Sequence, residues 1–232
     1  DQYPDANPAK FIQQQQKMRP LLFILGLALL VSSCRRFEQE KVVARAEPFA
    51  PKNLYPTERL PVYLNRVVVL PCFYPDADSP LLDYVDRIFL QEISQERIFE
   101  TIPFSTSRMK SLFGHERVSS SGALPENFLR TLESETSANG VLFVDLDSYR
   151  PYRPISLGVR AKLVDIKSGE FHWAIDETFD AGHAGVILGA RVFQENSQVR
   201  ALSQKTEGSV LQSPRIFSKY VASTIFSTLP KR

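Results

Sequence analysis

Two runs of alternating residues on either side of one glycine constrain this chain more than any other feature. Leu157, Val159, Ala161 and Leu163 interleave with Gly158, Arg160 and Lys162. Phe171, Trp173, Ile175, Glu177 and Phe179 interleave with His172, Ala174, Asp176 and Thr178. A period of two sends each set to its own face of a strand. Residues 166–170, with Gly169 among them, supply the turn. The pair reads as an antiparallel hairpin with one face under helices and the other wetter. Across it, Arg160 and Lys162 share the face of His172 and Asp176, an arrangement suited to cross-strand charge pairs.

The rest of the chain alternates strands with helices. Residues 66–71, Arg-Val-Val-Val-Leu-Pro, form a short apolar run closed by proline, the pattern of a strand buried on both faces. Residues 80–90 carry apolar side chains at 81, 85, 88 and 89, a helical period, with Ser79 as N-cap and Pro80 at the first helical position. A second strand over 99–104 and a second helix over 125–138 follow, the helix ended by Asn139-Gly140. Residues 141–147 make a third, central strand. Residues 182–189, with three glycines, read as a flexible junction after the hairpin. A last helix over 214–229 has Ser213 as its cap and Pro214 in its first turn. This order predicts an α/β fold, a mixed β-sheet of about five strands packed with helices.

The first part of the chain has another character. Residues 1–17 are polar, with four consecutive glutamines at 13–16. Met18 opens a new pattern: Arg19 is a positive start, residues 21–31 are an apolar run, and Ser32-Ser33-Cys34 ends it with small residues. That is the anatomy of a secretory signal peptide, too short to span a bilayer that needs about 20 apolar residues. A core helix would carry polar residues on one face, and this run carries none. Val31-Ser32-Ser33-Cys34 resembles the lipobox of bacterial lipoproteins. The resemblance implies cleavage before Cys34, acyl chains on Cys34 as the membrane anchor, and Met18 as the start, with 1–17 an over-extended upstream piece. Arg35 follows the cysteine, not the aspartate that often retains lipoproteins at the inner membrane, so the resemblance implies the outer membrane with the domain facing the periplasm. The predicted organisation is 18–33 signal peptide, 34–60 lipidated tether rich in charge and proline, and 61–232 one α/β domain.

Three pieces resemble a group of bacterial envelope lipoproteins that includes the curli secretion lipoprotein, the penicillin-binding-protein activator LpoB and the amino-terminal domain of TolB. They are the leading Arg-Val-Val-Val-Leu-Pro strand, the Gly-Val-Leu-Phe-Val-Asp-Leu strand at 140–146, and the hairpin Leu-Val-Asp-Ile-Lys-Ser-Gly-Glu-Phe-His-Trp at 163–173. The resemblance spans about residues 66–181 and bears on fold more than function, because one fold hosts many roles.

Chemistry is sparse. His115, His172 and His183 lie on three separate segments with no metal-ligand spacing. Asp145 and Asp147 share one strand face about 7 Å apart, where salt links at a strand end account for them. Cys72 has no histidine partner in a recognisable constellation and reads as a buried thiol. No phosphate-binding glycine motif occurs, so no cofactor or metal is expected. With 28 Lys+Arg against 26 Asp+Glu, a net charge of +2 and no basic run longer than two residues, nothing points to nucleic acid. The segment Tyr149-Arg150-Pro151-Tyr152-Arg153-Pro154 puts two tyrosines and two arginines on a proline-stiffened connection, a composition enriched at binding hot spots; a rigid strand connection accounts for it without any binding role.

The expectation is a non-enzymatic binding or assembly accessory of an envelope complex, tethered through Cys34, with Tyr149, Arg150, Tyr152 and Arg153 as candidate contacts to another envelope protein. A homo-oligomer stays open. Two alternatives remain. An envelope hydrolase would need Asp145, Asp147 or a histidine to converge in a pocket. A secretion-channel subunit would need long alternating membrane hairpins of about 9–11 residues per strand, and no loop reads so.

Overall fold

A computed structural model of the chain describes residues 40–76, 81–200 and 209–232. The leader, Cys34, Ser79 and Pro80 lie outside the described residues. Residues 40–45 are helical and belong to a first unit ending at Ala46; the second unit, from Glu47 onward, is the domain described below.

Its elements run β1 (Leu54–Pro56), β2 (Arg66–Val69), α1 (Leu82–Gln95), β3 (Glu100–Pro103), α2 (Thr106–Phe113), α3 (Phe128–Thr136), β4 (Gly140–Arg150), β5 (Ser156–Asp165), β6 (Phe171–Asp180), α4 (Ala184–Arg200) and α5 (Pro214–Phe226). The strands form one mixed six-stranded sheet in the order β1-β6-β5-β4-β2-β3. β2 pairs in parallel with β3 and β4, while β4–β5, β5–β6 and β6–β1 are antiparallel. β4 is therefore where a parallel half and an antiparallel half meet. Both edge strands contain a proline, Pro56 in β1 and Pro103 in β3, which removes a backbone donor and blunts further pairing.

The period of two sorts the strand residues between two cores. Leu142, Val144 and Leu146 of β4, Leu157, Val159, Ala161 and Leu163 of β5, and Trp173, Ile175 and Phe179 of β6 pack with α1 and α5. Val68, Val141, Phe143 and Val164 face the other way, toward Met109 of α2 and Phe128 and Leu132 of α3. Trp173 is fully buried, and its indole N–H donates to Thr228 Oγ1 at 3.0 Å just beyond α5.

The α/β class, the hairpin about Gly169 (φ 74°) and the capping of α5 by Ser213, whose side chain accepts from the Ile216 amide, match the sequence expectations. Four features differ. β1 falls within the stretch read as linker, and three residues are too few for a period to show. α2 is absent from the sequence reading because only Met109 of its eight residues is buried, although Ser105 caps it and Gly114 (φ 76°) ends it. α3 is shorter than expected, bounded by Asn127 and Ser137 in left-handed conformations rather than by Gly140. Residues 184–189 are the start of a helix rather than a flexible junction. Its glycines allow close approach: a Cβ on Gly189 would lie 2.5 Å from Tyr220 Oη, and the Gly185 carbonyl accepts the Phe49 amide at 2.9 Å.

Thr228→Val keeps the volume but leaves the buried Trp173 indole N–H without its acceptor. It should lower unfolding free energy by about 1–2 kcal/mol with an unchanged urea m-value, read by urea denaturation of the full chain.

Candidate functional site

α2 and α3 cover only the parallel half of the second sheet face. On the antiparallel half, Arg160 and Lys162 of β5 and Ala174 and Asp176 of β6 stay half-buried, and Thr178 is exposed. The loop between α2 and α3 leans over this face, held by one carboxylate. Asp145, 2% exposed, accepts from Ser119 Oγ at 2.8 Å, from Ser120 Oγ at 2.9 Å, and from the Ser120 amide at 3.0 and 2.9 Å. Two cations of β5 then grip the same loop: Lys162 Nζ donates to the Ser120 carbonyl at 2.9 Å and Arg160 to Ser121 Oγ at 3.1 Å.

Arg160 also bridges two carboxylates, Asp176 at 2.7 Å and Asp147 at 3.2 Å. The Arg160–Asp176 pair is in direct register across the hairpin, the cross-strand charge pair that the alternation implies. Burial raises the Asp147 carboxyl above its ordinary range, Arg160 opposes that rise, and Asp176 adds to it. Asp145 and Asp147 do share the strand face, but serines hold one and an arginine the other. General acid–base work needs a carboxyl within reach of a substrate proton; the oxygens of Asp145 are already engaged by the serines.

A second acidic position lies at the hairpin turn. Asp165 Oδ1 accepts the amides of Lys167 at 2.7 Å and Ser168 at 2.8 Å. Burial pushes its carboxyl up, but the Ser168 and Lys167 amides and the Tyr63 hydroxyl outweigh that, leaving it below its usual range. His172, buried, sits 3.8 Å from Asp165. His115 and His183 are exposed. Among the described residues, no group of three or more His, Cys, Asp or Glu is placed to hold a metal ion. Cys72 is buried, and burial together with the Asp86 charge pushes its thiol up; Asp86 itself pairs with Arg117 at 2.7 Å.

The four candidate residues divide between the end of β4, which holds Tyr149 and Arg150, and the β4–β5 connection, which holds Tyr152 and Arg153. Tyr149 is half-buried against the α1 core, its hydroxyl 3.2 Å from that of Tyr84. Arg150 pairs with Asp180 at 2.9 Å and donates to the Pro154 carbonyl at 2.7 Å. Tyr152 is 80% exposed and Arg153 is exposed beside it. Two of the four thus anchor the connection and two face solvent. The sequence reading missed the serine loop altogether; the run Ser119-Ser120-Ser121-Gly122 was its one visible sign.

No family model matches the chain, and no curated protein matches it. Among solved structures, the chain is similar to a PelC dodecamer from Paraburkholderia phytofirmans, with 13% identity over 77% of this chain and 96% of that one and a TM-score of 0.45. It is also similar to lipoprotein GNA1162 from Neisseria meningitidis, with 14% identity over 59% and 98% and a TM-score of 0.37. TolB from Acinetobacter baumannii matches with 12% identity over 66% and 32% and a TM-score of 0.29.

Because the folded Asp165 carboxyl lies below its unfolded value near 3.9, its contribution is fully present above about pH 4 and is lost as pH falls through the folded value. Asp165→Ala should cost about 2 kcal/mol at pH 7. The gap from wild type should narrow steadily below about pH 4, as read by thermal melts at a series of pH values.

Proposed function

We propose that this chain is a lipid-anchored accessory of a bacterial envelope complex, held to the outer membrane through Cys34. Its domain binds another envelope protein and performs no chemistry of its own. The Val31-Ser32-Ser33-Cys34 ending of the apolar leader supports the anchor. Several acyl chains would make it stable where one is marginal, each buried methylene contributing about 0.8 kcal/mol.

The observation that carries the binding role is the build of the β4–β5 connection. Its base is fixed by Tyr149 against Tyr84 and by Arg150 against Asp180, while Tyr152 and Arg153 stand in solvent. An aromatic and an arginine on a rigid support lose little entropy when they bind, and these two residue types dominate interface energetics. The charged groups that a hydrolase would use, Asp145 and Asp147, are engaged by Ser119, Ser120 and Arg160. The raised carboxyl of Asp147 is the one observation favouring the hydrolase reading, with Asp147 as general acid.

The test is crosslinking in intact cells of the source bacterium, comparing wild type, Cys34→Ser and Tyr152→Ala/Arg153→Ala, with folding checked by circular dichroism. Wild type should capture one envelope protein. The double variant should lose that product by about tenfold or more while staying at the membrane, and Cys34→Ser should leave the membrane fraction. Equal capture by the double variant would remove the β4–β5 connection as the binding surface. Hydrolysis of envelope material that is lost in Asp147→Asn would replace the accessory reading with the enzymatic one.

A further inference from the structure

On the opposite side of the sheet from the serine loop, α1, α4, α5 and Val210 line a half-open cavity of about 240 Å3. This is room for a short alkyl chain. Ile88 of α1, Phe193 of α4, Ile216 of α5 and Val210 supply apolar walls that belong to, or pack on, the main core.

The rim has a different chemistry. Arg215 and Lys219 lie four residues apart on α5, hence on one helix face, and both line the opening. Lys219 sits 3.8 Å from the buried Glu92, so its charge is partly matched. Arg215 is exposed and makes no ion pair among the described residues. Gln91, Gln194 and Ser197 complete the lining, so this is a half-open slot that is mainly apolar by area; with its net positive mouth it complements a molecule with an apolar chain and an anionic head. A neutral apolar ligand would leave the cations unused, and a compact anion would leave the apolar walls unused.

We infer that this cavity is a binding site for a single-chain anionic amphiphile, its alkyl chain between α1, α4 and α5 and its carboxylate or phosphate head on Arg215 with Lys219 beside it. No residue of the β4–β5 connection lines the cavity, and the variants that test it leave Tyr152 and Arg153 in place, so this assignment and the accessory reading can fail separately.

The test is calorimetric titration of the full chain with decanoate, decyl phosphate and decanol. One saturable site for decanoate or decyl phosphate is expected, and comparing the two tells a carboxylate head from a phosphate head. Arg215→Gln, an exposed change that spares the core, should weaken the anionic probes by about tenfold and decanol by less than twofold. Ser197→Trp, which fills the opening from α4, should abolish binding of all three with an unchanged melting temperature. Three results would overturn the assignment: no saturable binding of either anion, anion binding untouched by Arg215→Gln, or decanol binding as tightly as decanoate.

Discussion

A carboxylate at the centre of a β-sheet must be satisfied or the sheet does not form, and Asp145 is that carboxylate. It stands on β4, in a run where every residue from Gly140 to Leu146 is buried. An unpaired charge there would cost several kcal/mol. Instead two hydroxyls and an amide from Ser119 and Ser120 reach it, each a hydrogen bond to a charged acceptor worth about 1.5–3 kcal/mol. The contact closes a loop of some 25 residues and draws the segment between α2 and α3 across the sheet. Without Asp145 that loop would have no reason to lie where Lys162 and Arg160 can hold it.

The rest of the domain follows from how its two halves are covered. In the parallel half, β2 has helices on both faces, as crossover connections dictate, and its Val67 and Val69 enter one core while Val68 enters the other. In the antiparallel half, α1, α4 and α5 cover one face and only the serine loop leans over the other. That asymmetry keeps Arg160, Asp147 and Asp176 together in a half-exposed ionic cluster. Surface ion pairs of this type contribute little to stability, about 0–1 kcal/mol each; here they fix the orientation of a face. The same asymmetry places the β4–β5 connection at the end of two long strands, where Asp180 of β6 clamps it through Arg150.

What the sequence made legible was what repeats within a few residues. The alternation on β5 and β6 gave the register that sets Arg160 opposite Asp176. The Ser213-Pro214 pair marked the start of α5, and the apolar run at 141–146 marked the central strand. What stayed hidden depends on distant partners. The serines that neutralise Asp145 lie on another element, and nothing in Ser-Ser-Ser-Gly says which acid they meet. α4 carries buried side chains such as Val186, Ile187 and Ala190 near its start, and its two glycines make sense only beside Tyr220 and Phe49. The cavity above α5 was equally invisible, since its walls come from three helices. Of the four candidate residues, composition could not separate Tyr149 and Arg150, which end β4 and anchor, from Tyr152 and Arg153, which face solvent in the connection.

The claim that Asp145 organises the polar half of the sheet is tested most directly by residue-resolved amide hydrogen exchange at Ser120. Its N–H is bonded to a buried carboxylate, so it should exchange as slowly as the amides of β4, although it lies in a loop. Exchange at Ser120 at the rate of an open loop, while β4 stays protected, would contradict the account. It would mean that the loop leaves Asp145 without unfolding the sheet.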